Sequence, residues 1–348
     1  KDIEFFERAA KTKLRNAVLC AFGSTRRKNL KVEEDCNVLS LFKADTPAVA
    51  IFGKSWDLHI TNILKATLDE NLELVYDTLK FFKNKGKEVI FDAEHFYDGY
   101  KANPEYAIKV LEAAAAAEAD ALCLCDTNGG CFPDEIYSIT REVAQRFPDM
   151  KLGIHCHNDT GCAVANSMVA VEAGASQVQG TFIGIGERCG NADLSVIIPN
   201  LQLKKGYKCV DGDLSTLKDI TLRLYEITNL IMPSNKPYVG VSAFAHKGGM
   251  HIDGVIKCPH SFEHVQPQAV GNKRRFLMSE VSGRTTVLAK IASIAPELTK
   301  DSPQTAAIVE RIKELEHEGY QFELADASFE LVVLHILNKF KPHFKLNM

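Results

Sequence analysis

His155 and His157 stand one residue apart where the apolar run of "KLGIHCHNDTG" (151–161) ends. On a β-strand, side chains at i and i+2 share a face. Both imidazoles then address one point, and Cys156 faces away. Neutral imidazole is a common ligand of divalent metals, so the spacing reads as part of a metal site or as two strand-end histidines held by hydrogen bonds. A second polar cluster, "GIGERCGNAD" (184–193), supplies Glu187, Arg188, Asn191 and Asp193. Two imidazoles and an oxygen donor leave open positions on a divalent ion, which then acts as a Lewis acid on a carbonyl. Taken alone, the same loop also reads as a capping turn with Arg188 paired to Glu187 or Asp193.

Other reactive side chains recur at the ends of apolar runs. "FDAEHF" (91–96) places Asp92 and Glu94 on one strand face, as a base, an orienting carboxylate or a solvated strand end. "CDTNGG" (125–130) offers the Thr127 hydroxyl to a substrate carboxylate, or else forms a glycine-rich turn. Lys54 and Ser55 close "AVAIFGKS" (48–55). In "AHKGGMHIDG" (245–254), the glycines suggest a mobile loop carrying His246 and His251 over a mouth.

The elements that must position these groups alternate. Apolar, β-rich runs occupy 16–23, 48–55, 88–96, 120–129, 151–159 and 177–186. Helical stretches fill 60–85, 102–118, 132–147 and 161–174. Strand–helix alternation implies βα units on a parallel sheet, and unbroken apolar strands imply burial on both faces. No GxGxxG follows an early strand, which argues against a dinucleotide-binding doubly wound sheet. Polar types at the C-terminal end of nearly every strand favour a (β/α)8 barrel, where those ends share one mouth. Only six strands precede the break near 190. The chain also opens without a methionine, directly into the helical "DIEFFERAA". The expectation is therefore a TIM (β/α)8 barrel, incomplete at its N-terminus, whose first two strands lie upstream of Lys1. This catalytic barrel should span 1–205, with a smaller, mostly helical accessory domain over 206–348.

Bulk properties narrow the class. The 348 residues carry a net charge of −4, 46% hydrophobic and 25% charged side chains. Nothing in that balance calls for nucleic acid. No apolar run approaches the roughly 18 residues of a membrane span. Ten cysteines in a chain this long, most of them inside apolar runs, fit a reducing cytoplasm rather than a disulfide framework.

The stretch "GIHCHNDTGCAVANSMVAVEAGASQVQGTFIGIGERCGNADL" (153–194) resembles the core of the 2-isopropylmalate, homocitrate and citramalate synthase family. "AFGSTRRKNLKVEED", "FGKSWDLH", "FDAEHFYDGYKANPEYA" and "VGNKRRFLMSEVSGR" are most similar to its citramalate synthase branch. The resemblance implies a metal-dependent Claisen condensation on a TIM barrel. Acetyl-CoA would join a 2-oxo acid, most simply pyruvate giving citramalate and CoA, in branched-chain amino-acid biosynthesis. Isopropylmalate or homocitrate synthesis, or an aldolase or lyase on the same barrel, are the alternatives. Residue by residue, it implies His155, His157 and Asn191 as metal ligands for Zn, Mg or Mn. It implies Glu94 and His251 as catalytic groups and Thr127 as a contact to the oxo acid; Ser55 and Asp92 are further expected substrate contacts. It also implies a homodimer in which His251 reaches the other subunit's site. The sequence departs from the family pattern in three places. It has no opening metal-binding aspartate strand, Phe262 stands where a tyrosine is usual, and it stops at "KPHFKLNM" before the regulatory domain of many members.

Overall fold

The structure, a computed structural model, describes residues 2–277, 284–292, 294–322 and 325–344. Lys1 and residues 278–283 of the basic stretch read at 272–286 lie outside the described residues. The chain divides into two compact units, residues 1–197 and 198–348.

The first unit is built on six strands: β1 (Cys20–Ser24), β2 (Ala48–Lys54), β3 (Glu88–Glu94), β4 (Ala121–Asp126), β5 (Lys151–Cys156) and β6 (Gln177–Gln179). They form one sheet in chain order, each paired parallel to the next. This is the parallel-stranded partial barrel that the alternation implied. Burial on both faces explains the unbroken apolar strands: all six residues of β4 are buried, as are Val49, Ile51, Val89, Phe91, Leu152 and Ile154. Helices Leu68–Asn84, Pro104–Ala116, Pro133–Arg146 and Ala163–Ala173 make the crossovers.

Local chemistry sets their bounds. The expected helix from residue 60 begins only at Leu68. A single π-turn, Ile60–Leu64, ends at Lys65 in the left-handed region (φ 54°). The main helix then starts afresh at a capping box, where the Thr67 side chain accepts from the Glu70 amide and the Glu70 carboxylate accepts from the Thr67 amide. Proline at the first helical turn and an Asn103 cap open the next helix.

The sixth apolar run departs most from expectation. β6 stops at Gln179, and 182–184 form a single 3-10 turn with Ile183 at φ 63°. The reason is steric: the Ala192 carbonyl lies so close to Gly180 that no side chain fits between them. The strand is replaced there by the returning segment 191–193, bridged to His157 and Thr181.

The second unit is mostly helical, with helices Leu217–Thr228, Gly249–Lys257, Arg284–Ile291, Pro303–His317 and Asp326–Ile336. A small parallel pair, β7 (Ala245–His246) and β8 (Arg275–Phe276), joins them. Val287, Ile291, Ile308, Ile312, Leu315, Phe322, Phe329 and Val333 form its core. "AHKGGMHIDG" is not the loop expected. Ile252 and Val255, three residues apart, bury one face and wind 249–257 into a helix. His251 sits exposed in its first turn, its ring 4.5 Å from that of Phe262. His246 is buried against Glu263 at 3.2 Å, and Arg274 grips the same carboxylate through two bonds of 2.6 Å.

Arg274 holds Glu263 below the usual carboxylate range against the opposing effect of burial, with His246 helping. A depressed folded value stabilises the fold above the unfolded value of about 4.5 and loses that contribution as pH falls through the folded value. The resistance of the second unit to urea, followed in the full chain, should therefore fall as pH drops below about 4.5. In Glu263→Gln that acid-dependent loss should be smaller, and an unchanged acid limb would refute the assignment.

Candidate active site

Parallel pairing brings the C-terminal ends of all six strands to one rim. Each strand delivers a polar side chain there. Lys54 and Glu94 are register partners across β2 and β3, and their side chains form a half-buried ion pair at 2.5 Å. The Ser55 side chain, fully buried, donates to the Glu94 carbonyl at 2.6 Å. Ser55 thus holds the end of β3 in place. At the end of β4, the Asp126 carboxylate accepts from the amides of Gly130 and Cys131, so that "CDTNGG" is a capped turn. The Thr127 hydroxyl accepts from the His95 amide at 2.8 Å and keeps its own proton to donate.

The two histidines of β5 are together as their spacing required, with ring centroids 5.2 Å apart. His155 Nδ1 lies 2.9 Å from Gln179 Oε1, its register partner on β6. His155 Nε2 lies 3.0 Å from Asn191 Oδ1. Gln179 Nε2 in turn donates to Asp92 Oδ1 at 2.7 Å. Burial pushes the Asp92 carboxyl up to about 6 despite that bond and nearby His155. His157 Nδ1 is buried without a hydrogen-bond partner, and burial followed by the neighbouring His155 lowers the ring's proton affinity.

The "GERCGN" loop holds Asn191 in register. Asn158 N donates to the Gly190 carbonyl and Ala192 N to that of Cys156, both at 2.9 Å. Asn191 Nδ2 donates to the Ile185 carbonyl at 3.1 Å, which turns Oδ1 toward His155. Arg188, at φ 53°, forks onto Asp159 at 2.8 and 2.9 Å and reaches the Thr127 carbonyl at 2.7 Å. Its main partner is therefore Asp159, while Glu187 lies at 3.9 Å. The Asp193 side chain caps the following helix through Ser195.

These contacts test whether a divalent cation fits. Among the described residues no three His, Cys, Asp or Glu side chains cluster closely enough to hold a metal by themselves. What the rim does hold is a lone-pair cluster. The Asn191 amide oxygen faces His155 Nε2, and the adjoining His157 ring has a nitrogen with no protein partner. Two acceptors face to face need a proton or a cation between them. The residues fit one side of a divalent site made of two imidazoles and an amide oxygen. His251 lies in the second unit.

A family model described as HMGL-like matches residues 1–230, and one described as homocitrate synthase post-HMGL domain-like matches residues 238–320. The chain belongs to the HMGL-like family. Within that family, a protein named (R)-citramalate synthase from Aquifex aeolicus is 53% identical over 99% of this chain and 65% of its own length. Another of that name, from Geobacter sulfurreducens, is 48% identical over 99% of this chain and 66% of its own length. A 2-isopropylmalate synthase of Methanocaldococcus jannaschii is 33% identical, over 93% and 60%. The chain thus spans about 65% of the length of the curated relatives it matches best among these. Among solved structures, an HMG-CoA lyase from Bacillus subtilis superposes with a TM-score of 0.55 at 17% identity, over 66% of this chain and 77% of that one. That likeness shows the fold of this HMGL-like chain, a TIM-type barrel.

Gln179 and the Arg188–Asp159 fork were not singled out in the sequence. The two glutamines of "QVQ" inside an apolar strand were the available signal for Gln179, since a polar side chain sharing the histidine face needs a partner there.

Gly180 leaves room for the returning segment that brings Asn191 to His155. Gly180→Ala must push the Ala192 carbonyl away, at a cost of about 1–3 kcal/mol, as for overpacking in general. The expected result is a lower urea midpoint together with weaker Mn²⁺ binding; unchanged binding would show that the loop tolerates the shift.

Proposed function

We propose that this chain condenses acetyl-CoA with pyruvate to give citramalate and CoA, using a divalent metal at His155, His157 and Asn191. One observation carries the reading. The imidazole nitrogen and amide oxygen that face each other at 3.0 Å stand in a chain 53% identical to a citramalate synthase over nearly its whole length. When bound, a divalent ion supplies a Lewis acid that polarises a keto group and fixes its orientation.

The chain's own residues carry the rest. The Thr127 hydroxyl, anchored by the His95 amide, donates to the carboxylate of the oxo acid. Glu94, held in place by Lys54, takes a proton from the acetyl methyl. The resulting enolate carbon forms a bond to the keto carbon of pyruvate. The former keto oxygen takes up a proton, and citramalyl-CoA results. Water then cleaves the thioester, releasing free CoA thiol, and the hydrolysis makes the sequence effectively irreversible. The family resemblance makes His251 the other candidate for the base at the acetyl methyl and implies a homodimer in which it reaches the other subunit's site. Phe262 beside it leaves no hydroxyl where a tyrosine is usual. No described helix is long and apolar enough to cross a membrane, all ten cysteines are free, and a cytoplasmic setting is the accompanying expectation.

The test is thiol release from acetyl-CoA against a panel of pyruvate, 2-oxoisovalerate and 2-oxoglutarate, with Mn²⁺, Mg²⁺ or Zn²⁺. Pyruvate should be preferred. Preference for either larger acid would reassign the substrate, and no release with any of them would overturn the synthase reading. In the same assay His157→Ala should lose metal-stimulated turnover and Mn²⁺ affinity while keeping its far-ultraviolet dichroism. Retained affinity would remove His157 from the ligand set.

Glu94→Gln preserves shape and removes the proton acceptor. It should lower kcat by about 10²–10⁴-fold, the usual worth of a positioned base, with the KM for pyruvate little changed. An unaltered kcat would reduce Glu94 to the partner of Lys54.

A further inference from the structure

Which nitrogen of His155 carries the proton is decided outside the histidine itself. Gln179 Oε1 sits 2.9 Å from Nδ1, and Asn191 Oδ1 sits 3.0 Å from Nε2. A neutral imidazole has one N–H and so can satisfy only one of these oxygens. If the proton is on Nδ1, Gln179 is satisfied, and a bare Nε2 lone pair stands beside Asn191 Oδ1, ready for a cation. If it is on Nε2, the ring donates to Asn191 and the lone pair is gone. Gln179 could support either state, because its amide presents an acceptor on one side and a donor on the other. Rotated by half a turn, it would donate to Nδ1 and complete an unbroken chain of hydrogen bonds from Gln179 through His155 to Asn191, closing the site to metal.

Asp92 breaks that symmetry. It is on β3, three strands from β6 in the sheet, and its buried carboxylate accepts from Gln179 Nε2 at 2.7 Å. An ionised carboxylate is an acceptor only, so the NH₂ of Gln179 must face it and Oε1 must face His155. We infer that Asp92 is a positioning residue that, through Gln179, keeps the His155 proton on Nδ1 and so holds Nε2 open as a donor to a cation. Asp92 touches neither substrate nor metal in this arrangement. Outer partners that orient a ligand ring in this way are typically worth about 10–100-fold in metal affinity. The inference rests on the proposed metal site at His155.

The test reads the tautomer directly. The full chain, labelled with ¹⁵N-histidine, is examined without metal above the imidazole titration range, with the His155 signals assigned by their loss in His155→Ala. The wild type should be Nδ1-protonated. Asp92→Leu keeps the volume and removes the acceptor, which frees Gln179 to turn over. His155 should then become mainly Nε2-protonated, with Mn²⁺ affinity down about 10–100-fold. Adding Gln179→Glu to Asp92→Leu replaces the two-faced amide with an acceptor-only group. The Nδ1 tautomer and Mn²⁺ binding should return, although Asp92 is still absent. A generally disrupted site would not be rescued in this way.

An Nε2-protonated wild type, an Asp92→Leu protein that keeps the wild-type tautomer, or a double variant that stays Nε2-protonated would each overturn the inference. A wild type with the expected tautomer pattern that releases no thiol with any oxo acid would refute the synthase reading alone. An active synthase whose tautomer ignores Asp92 would refute this inference alone.

Discussion

Parallel pairing of six strands in chain order is the constraint on which everything else in the first unit depends. In such a sheet every strand points the same way, so residues far apart in sequence reach one rim without any long loop to gather them. Lys54, Glu94, Thr127, His155 and Gln179 all lie at or just beyond their strand ends. The scaffold is maintained by ordinary means: strands apolar on both faces, helices opened by capping groups, and crossovers of a few turns. This leaves rim positions free to carry side chains that a sheet of any other polarity would scatter.

The rim chemistry divides into two kinds. On one side an ion pair, Lys54 with Glu94, places full opposite charges in contact. On the other, His155, His157, Asn191 and Gln179 are all neutral when the imidazoles are unprotonated, and what they offer is lone pairs. Proton transfer wants a fixed carboxylate, whereas a cation wants donors that are not already occupied by hydrogen. Keeping these functions on different strands lets each be arranged without disturbing the other. Ser55 and Asn191 illustrate how: each donates to a backbone carbonyl, that of Glu94 in one case and of Ile185 in the other, and so fixes a rim position in place.

Much of this was legible before any coordinates, and the reason is local. β4 reads as a strand because six buried residues in a row leave an uninterrupted apolar signature. His155 and His157 read as partners because the strand period forces them onto one face. What was illegible depends on distance along the chain. The bond from Gln179 to Asp92 spans 87 residues and leaves no pattern in either segment. β6 looked longer than it is because the Ile-rich stretch after Gly180 is apolar but must yield its edge to residues 191–193. The segment around His251 looked like a loop because its glycines outweighed a single buried pair, Ile252 and Val255. The helix starts later than residue 60 suggests because Lys65 in a left-handed conformation carries no compositional mark.

The returning loop has a further consequence for motion. Segment 180–193 is zipped to the end of β5 by one amide from each side, Asn158 to Gly190 and Ala192 to Cys156, while Thr181 to Ala192 ties the segment to itself. Bonds arranged in series like this open as a cooperative group rather than one by one. Solvent exchange at Asn158 and Ala192 therefore reports a single event, the peeling of the finger from the strand. That same event carries Asn191 away from His155. The lifetime of the closed finger sets how long the lone-pair cluster exists intact, and a bound cation, gripping both sides of the seam, would lengthen it.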